Sequence, residues 1–252
     1  VSHFDDKAKE LGALSSYIRS FFPLDDVLVT NLNYIIEYDR LPCTVIIGLS
    51  RSSRELWKSM SQRGRNAIRK AEKLGVIIEE GKSLDDLLAY YNICVNTSER
   101  LHIPLMSFRV FESLWKNFSY EDHIKLFLAK YKSIPIAGWV LLRWRDKMWG
   151  YHAASYRKHW RFNANALLQW YIIKWGISNG VQSYDLGGIP CRKDKTHPKY
   201  GLFLFKTQFG GEVVRCGEYI KRYSHLKSIL LTKALTPIYT QLFSLIRRNK
   251  FY

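Results

Sequence analysis

Three apolar, β-prone runs follow one another at residues 123–130, 134–143 and 147–154, and no other feature constrains the fold of this chain as tightly. The breaks between them, at 131–133 and 145–146, leave room only for tight turns, so the spacing predicts an antiparallel meander. Residues 165–178 then read as an amphipathic helix, and 182–186 as a short strand ending in Gly187-Gly188. A meander, a crossover helix and a strand returning in parallel build a mixed α/β (α+β) sheet with helices on its faces. A ligand cleft is expected where such strands end and splay.

Upstream, residues 5–22 show helical spacing (Leu11, Leu14, Tyr17, Ile18, Phe21, Phe22), followed by β-rich stretches at 27–38 and 44–49. Residues 51–73 read as two helical turns and a longer helix stopped by Gly75, before a strand at 76–80. Helices are predicted at 83–100, where Ser83 and Asp86 form a capping pattern, and at 107–118. Residues 190–200 are polar, basic and proline-bounded, as a mobile loop would be. The apolar, amphipathic stretch 226–246 is read as a helix packing back on the body of the protein, with attachment to a membrane surface as the other reading.

The chain has 252 residues, enough for one large domain or two small ones, and 39 Lys+Arg against 22 Asp+Glu give a net charge of +17. A surplus of that size points to a polyanion or an acidic surface as partner: nucleic acid, a nucleotide-linked substrate or an anionic membrane face. Cys43, Cys94, Cys191 and Cys216 are widely separated, so neither a zinc site nor a disulfide framework is expected, and a reducing cytoplasm fits. No signal-peptide pattern opens the sequence and no apolar run reaches the eighteen or so residues of a membrane span.

Hydrolytic, zinc and triphosphatase chemistries lose ground. No G-x-S-x-G elbow, no H-E-x-x-H spacing and no Walker-type phosphate loop occurs. Tyr184-Asp185-Leu186-Gly187-Gly188 is the sharpest local signal: an acidic residue at a strand end precedes two residues whose amides can turn to a ligand with no Cβ in the way. A plain turn after a core strand would look the same. Lys206 lies in a phenylalanine-rich run, suited to a phosphate beside a stacked base, although a lone lysine there can also snorkel. Arg63, Arg65, Arg69, Lys70 and Lys73 crowd one helix and could track a phosphate backbone or form a solvated face. Tyr151 and His152 sit mid-strand, where a tyrosine could orient a carbonyl or simply fill the core.

In order along the chain, Arg65-Asn66-Ala67-Ile68-Arg69-Lys70-Ala71-Glu72-Lys73, Thr97-Ser98-Glu99-Arg100, Phe127-Leu128-Ala129-Lys130, Tyr151-His152-Ala153-Ala154-Ser155, Asn165-Ala166-Leu167-Leu168-Gln169-Trp170, Tyr184-Asp185-Leu186-Gly187-Gly188 and Phe205-Lys206-Thr207-Gln208-Phe209-Gly210-Gly211 resemble the Fem family of peptidoglycan bridge-forming aminoacyltransferases. The resemblance implies a GCN5-related N-acetyltransferase fold over about residues 56–220, with aminoacyl-tRNA as donor, an amine of a peptidoglycan precursor or other peptide as acceptor, and no metal or redox cofactor. It implies a cytoplasmic enzyme, in peripheral contact with the inner face of the membrane where the precursor is lipid-linked. Family members usually carry two such domains, so residues 1–55 are expected to be a reduced N-terminal subdomain, with 221–252 a C-terminal helix packing on it.

On this reading Lys206, Asp185 and Tyr151 are catalytic, Phe205, Gly187, Gly188, Arg65, Arg69 and Lys70 hold the donor, and Arg100 and His152 hold the acceptor. A branch of the same fold uses acyl-CoA through a glycine-rich turn, but residues 157–165 contain no glycine, which disfavours close approach by a pyrophosphate. Acyl-CoA-dependent N-acyl transfer and a catalytically idle tRNA- or membrane-binding module remain the rival expectations.

Overall fold

The computed structural model describes residues 2–20, 35–36, 43–224 and 227. Contacts divide the described chain into two units, one holding Val45–Gly187 and Lys193–Val213, the other the described residues before Val45, Gly188–Arg192 and those from Val214 on. Three of the four dividing points fall inside strands, β3 (Cys43–Gly48), β8 (Ser183–Ile189) and β9 (Glu212–Arg215).

The larger unit is built on a seven-stranded mixed sheet in the order β4-β5-β6-β7-β8-β3-β9, with β4 at Val76–Gly81, β5 at Ile124–Tyr131, β6 at Ile134–Trp144 and β7 at Lys147–Ser155. The predicted meander is present: β5, β6 and β7 pair antiparallel, and Lys132, Ser133 and Arg145 take positive φ in the turns. β8 joins β7 in parallel, as the crossover helix requires. Strand and helix ends follow local chemistry. Helix α2 (Ser53–Ser59) opens with a Ser52–Glu55 capping box, α3 (Gln62–Lys73) with the Ser61 hydroxyl accepting from the Gly64 amide, and α4 (Leu84–Leu101) with the expected Ser83–Asp86 box.

The central strands are apolar on both faces because both are covered. Leu126, Leu128, Val140 and Ala154 share one core cluster with Leu87, Tyr90 and Ile93 of α4 and with Phe111 and Trp115 of α5 (Phe108–Phe118). On the opposite face Phe127 packs its ring against Tyr171 and Trp175 of α6 (Ala164–Ser178). Helix α6 buries Ala166, Leu167, Leu168, Gln169, Trp170, Ile172 and Ile173 around its circumference, so it is a buried helix and not the amphipathic one that its spacing suggests.

Two other expectations are corrected here. Residues 5–22 do not form one helix: α1 (Ser2–Glu10) ends before Gly12, whose φ is +66°, and the chain turns into β1 (Ser15–Ser20). The helical spacing is overridden by a partner distant in sequence, since β1 pairs antiparallel with β10 (Gly217–Arg222). In that smaller unit β10 also pairs with β2 (Ile35–Ile36), and Lys221 and the Tyr223 hydroxyl both reach the buried Asp5 carboxylate. The 27–34 and 37–38 parts of the β-rich reading and the 226–246 helix lie outside the described residues, apart from Lys227.

The second correction is a disulfide. Cys43 and Cys191 are bonded within the smaller unit, closing a loop with a sequence separation of 148, while Cys94 and Cys216 are buried thiols. Wide spacing does not exclude a bond when strands bring the residues together, and unpaired cysteines no longer speak for a reducing compartment. Alkylation of the denatured, unreduced protein should modify two of its four cysteines, and all four after reduction. A Cys43→Ser variant should lose about 2–4 kcal/mol of stability. Four alkylated thiols without reductant would refute the bond. Among the described residues no helix is long and apolar enough to cross a membrane.

Candidate active site

The cleft expected at splayed strand ends is present. β7 and β8 pair through only three residues each, ending at Trp149 opposite Asp185, while β7 continues to Ser155 and β8 to Ile189. Just past that point β7 carries a bulge: Leu141 faces Gly150 and Val140 faces His152, so Tyr151 is an extra residue with no partner on β6. A bulge re-aims the side chain it carries. Tyr151 is accordingly exposed, its hydroxyl 3.8 Å from the Met106 sulfur.

Across the gap, β8 runs through the glycine pair instead of stopping at it. Gly187 has φ +81°, and its amide donates to the Asp185 carboxylate at 2.7 Å. A Cβ placed on Gly187 would lie 3.2 Å from Lys206 Nζ and 3.5 Å from the Gly150 carbonyl oxygen. Lys206 and Asp185 are both buried. The lysine comes from the last turn of α7 (Tyr200–Thr207), a helix where the sequence showed only a phenylalanine-rich run between glycines. Lys206, Asp185 and Gly187 are therefore brought together where the strands part, although nineteen to twenty-one residues separate the lysine from the other two in the chain, while the Tyr151 hydroxyl meets Met106.

The second glycine pair does a different job. Gly210, at φ +77°, lies against the Ser59 backbone, and a Cβ on Gly211 would fall 2.6 Å from Val45 and 2.8 Å from the Ile46 oxygen. The Ser61 amide donates to the Gln208 carbonyl at 2.9 Å. These close approaches seat the end of α7 against the start of α3 and against β3.

Beside the opening lies a cavity of ≈ 190 Å³, room for a sugar-phosphate or a ring. Arg63 and Ala67 of α3 line one side, Gly201, Phe205 and Gln208 another, and Ile136, Ala137 and Ser155 lie on the sheet side. His159 and Trp160, from a 3-10 turn (Arg157–Phe162), and the first turn of α6 complete it. Asn163 caps α6 in a left-handed conformation without a side-chain hydrogen bond, so the first amides of that helix are left to an anion or to water. Ser155 organises the wall: its hydroxyl accepts from Trp160 Nε1 at 3.1 Å and Asn165 Nδ2 at 3.2 Å, and its backbone is held on both sides by the Thr97 hydroxyl.

The remaining candidates are dispersed. The Arg100 guanidinium lies 4.9 Å from the ring of Trp160, itself a lining residue, and its Nε is buried and unpaired. Burial, and then the Arg157 charge, lower its pKa. Arg65 is engaged by the backbone: it donates to the carbonyls of Lys58 and Met60 and to Gln62, closing the end of α2. Arg69 lies 5.4 Å from the Trp57 ring and Lys70 is exposed one turn beyond Ala67. His152 points into the core, where Nδ1 is 2.7 Å from the Tyr90 hydroxyl and its ring meets Phe111 edge-on. Burial pushes the neighbouring Cys94 thiol up to about 12. Arg63, Ser155, Trp160 and Asn165, which line the cavity, were not among the residues the sequence marked for the site. Ser155 ends the segment 151–155, Asn165 begins 165–170 and Arg63 opens the basic run, so a signal was there.

Burial also holds the His152 imidazole below its ordinary range. The unfolded chain then binds a proton that the folded one resists, so this contribution to stability is complete above about pH 6.5 and is lost as pH falls through the depressed folded value. Melting curves at about pH 7.5 and 5 should show a larger loss for wild type than for His152→Gln. Equal losses would remove His152 as the cause.

The family description "Acetyltransferase (GNAT) domain" matches residues 58–197, more than half of the chain. The chain belongs to this family. This GNAT chain is 29% identical over 96 residues to the lipid II:glycine glycyltransferase of Staphylococcus haemolyticus, a match covering 38% of the chain and 23% of that protein. It thus spans about a quarter of that curated relative. Its fold is similar to the crystal structure of FemX, with a TM-score of 0.70 and 18% identity over 96% of this chain and 78% of the other. It is also similar to L-PGS from Bacillus licheniformis, at 0.57 and 12% identity over 99% and 78%. The Fem resemblance and the mixed GNAT sheet expected from the sequence both stand.

Proposed function

We propose that this GNAT chain is an aminoacyltransferase that moves an aminoacyl group from aminoacyl-tRNA to an amine of a peptidoglycan precursor or another peptide, forming a peptide bond. The observation that carries the reading is the meeting of Lys206 Nζ with the Asp185–Gly187 turn at the splay, next to a cavity walled by Arg63, Phe205 and Trp160. A buried cation beside aromatic rings suits the terminal phosphate and base of an RNA 3′ end, and the net charge of +17 suits the rest of a polyanion. The similarity to a glycyltransferase, limited to 96 residues, points the same way.

An aminoacyl ester is already activated, so alignment and charge stabilisation supply most of the rate. On this reading Lys206 holds the donor phosphate and Phe205 stacks on the terminal base. Arg63, which lines the cavity, joins Lys70 and Arg69 of α3 along the acceptor stem, while Arg65 acts by closing the end of α2. Asp185, held by the Gly187 amide, orients the incoming amine and takes its proton, and the Tyr151 hydroxyl faces the carbonyl, with Gly187 placing no Cβ beside Lys206. Arg100 contacts a phosphate or carboxylate, and His152 acts on the acceptor side only by fixing the strand beneath Tyr151. The donor would confine the reaction to the cytoplasm, and a lipid-linked precursor would bring the protein to the inner face of the membrane.

The test is a purified-protein assay with charged tRNA and lipid- or nucleotide-linked precursor. No peptide product with any charged tRNA would end the reading. Acyl-CoA as donor is the second reading, favoured by the uncapped first turn of α6, which could take a pyrophosphate. Thermal shift with coenzyme A against a charged minihelix separates the two, since a ligand of the native state raises apparent stability. Salt-sensitive RNA binding without turnover would instead mark a binding module.

A further inference from the structure

The Ser155 hydroxyl accepts twice and donates to nothing among the described residues. A hydroxyl oxygen has two lone pairs and one hydrogen to give. Both lone pairs of Ser155 Oγ are taken, one by the Trp160 indole N–H at 3.1 Å and the other by the Asn165 amide nitrogen at 3.2 Å, and neither nitrogen can accept in return. Other buried hydroxyls differ: Thr97 donates to the Ser155 carbonyl at 3.2 Å, Tyr184 to Gln169 at 2.8 Å and Tyr90 to the His152 carbonyl at 2.9 Å. Ser155 is only 9% exposed, and a donor left unmet at such a place costs about 1–3 kcal/mol.

With Cβ and the two inbound donors holding three of the tetrahedral directions around Oγ, the hydrogen is confined to the fourth. Ser155, Trp160 and Asn165 all line the cavity, and the described protein offers no acceptor for that hydrogen, so a molecule in the cavity is what it meets. The lining also says what kind of molecule. Tyr156, His159, Trp160 and Phe205 bring four rings to it, and among the described residues that line it there is no carboxylate. Rings take the face of a nucleobase, while a hydroxyl meets the lone pairs at its edge.

We infer that Ser155 is a specificity-determining residue that reads the terminal base of the donor, its O–H donating to an unprotonated ring nitrogen of an adenine. The inference rests on the aminoacyl-transfer reading, which lays that base on Phe205, a lining residue of the same cavity. Every tRNA ends in adenosine, whose N1, N3 and N7 each carry a lone pair in the ring plane. Trp160 and Asn165 act through Ser155: by filling its lone pairs they fix the hydroxyl as a donor, so the edge of the base is selected for an acceptor and against an N–H.

The test is binding of uncharged minihelices, measured by fluorescence anisotropy, with the terminal adenosine replaced in turn by its 1-deaza, 3-deaza and 7-deaza analogues, each of which puts C–H where a ring nitrogen was. Wild type should bind one of these about 5- to 10-fold more weakly than the adenosine end. Ser155→Ala should bind the adenosine end weakly by a similar factor and lose that discrimination, whereas Ser155→Thr, which keeps the hydroxyl, should retain it. Alanine also removes the acceptor for Trp160 and Asn165, but a wall loosened in that way weakens all four ends alike and leaves the discrimination in place. That outcome would overturn the inference, as would a wild-type chain that binds all four ends equally while still transferring from charged tRNA. A wild-type chain that binds no minihelix sinks the reading and the inference together.

Discussion

Lys206→Ala should lower kcat/KM for the aminoacyl donor by about 100-fold or more, the largest loss of activity expected from any single change at the site. The ammonium is buried in the last turn of α7 and reaches the edge of Gly187, where β8 has parted from β7. Removing it deletes a charge held in a water-poor place, where charge-assisted contacts are strongest. Lys206→Met, which keeps the aliphatic stem, should be as poor as alanine if charge is what matters. A methionine variant with most of the wild-type activity would turn Lys206 into a packing residue and undo the donor site.

A large loss of stability should come from Gly138→Ala. Gly138 lies on β6 between Leu128 of β5 and Ala154 of β7, and a Cβ there would enter the Tyr90 ring and touch Leu128 at 3.0 Å. Tyr90 is fully buried, with its hydroxyl bound to the His152 carbonyl at 2.9 Å, so it has nowhere to go. Overpacking of this kind costs about 3 kcal/mol, or roughly 6–12 °C in Tm for a chain of this size. Gly48, with nothing within 4 Å of its Cβ position, is the control, and Gly48→Ala should stay within about 0.5 kcal/mol. Similar melting temperatures for the two variants would show that Tyr90 yields.

What could be read from the sequence is what local chemistry decides. The meander at residues 124–155 followed from period-2 patterning and short breaks, and the Ser83–Asp86 cap from its spacing. Ser15–Ser20 could not be read that way, because its strand state is conferred by β10, two hundred residues on. The Cys43–Cys191 bond was hidden for the same reason. At the site, Asp185, Gly187 and Lys206 stood out because an acid-glycine strand end and a lysine among phenylalanines are unusual on their own, and the fold gathers them around Gly187. Arg65 and His152 stood out as polar residues too, but whether a polar side chain is spent on the fold depends on partners that the local sequence does not reveal.

The seating of α7 has a mechanical consequence. Because Gly210 and Gly211 let the chain press against Ser59 and β3, the helix is clamped at the end nearest Lys206, while its other end, at Tyr200, follows a long connection from β8. A rod held at one end can only swing about it. Any adjustment to ligand size would carry Gly201 furthest and Lys206 least, widening or narrowing the mouth of the cavity while the cation stays at its post.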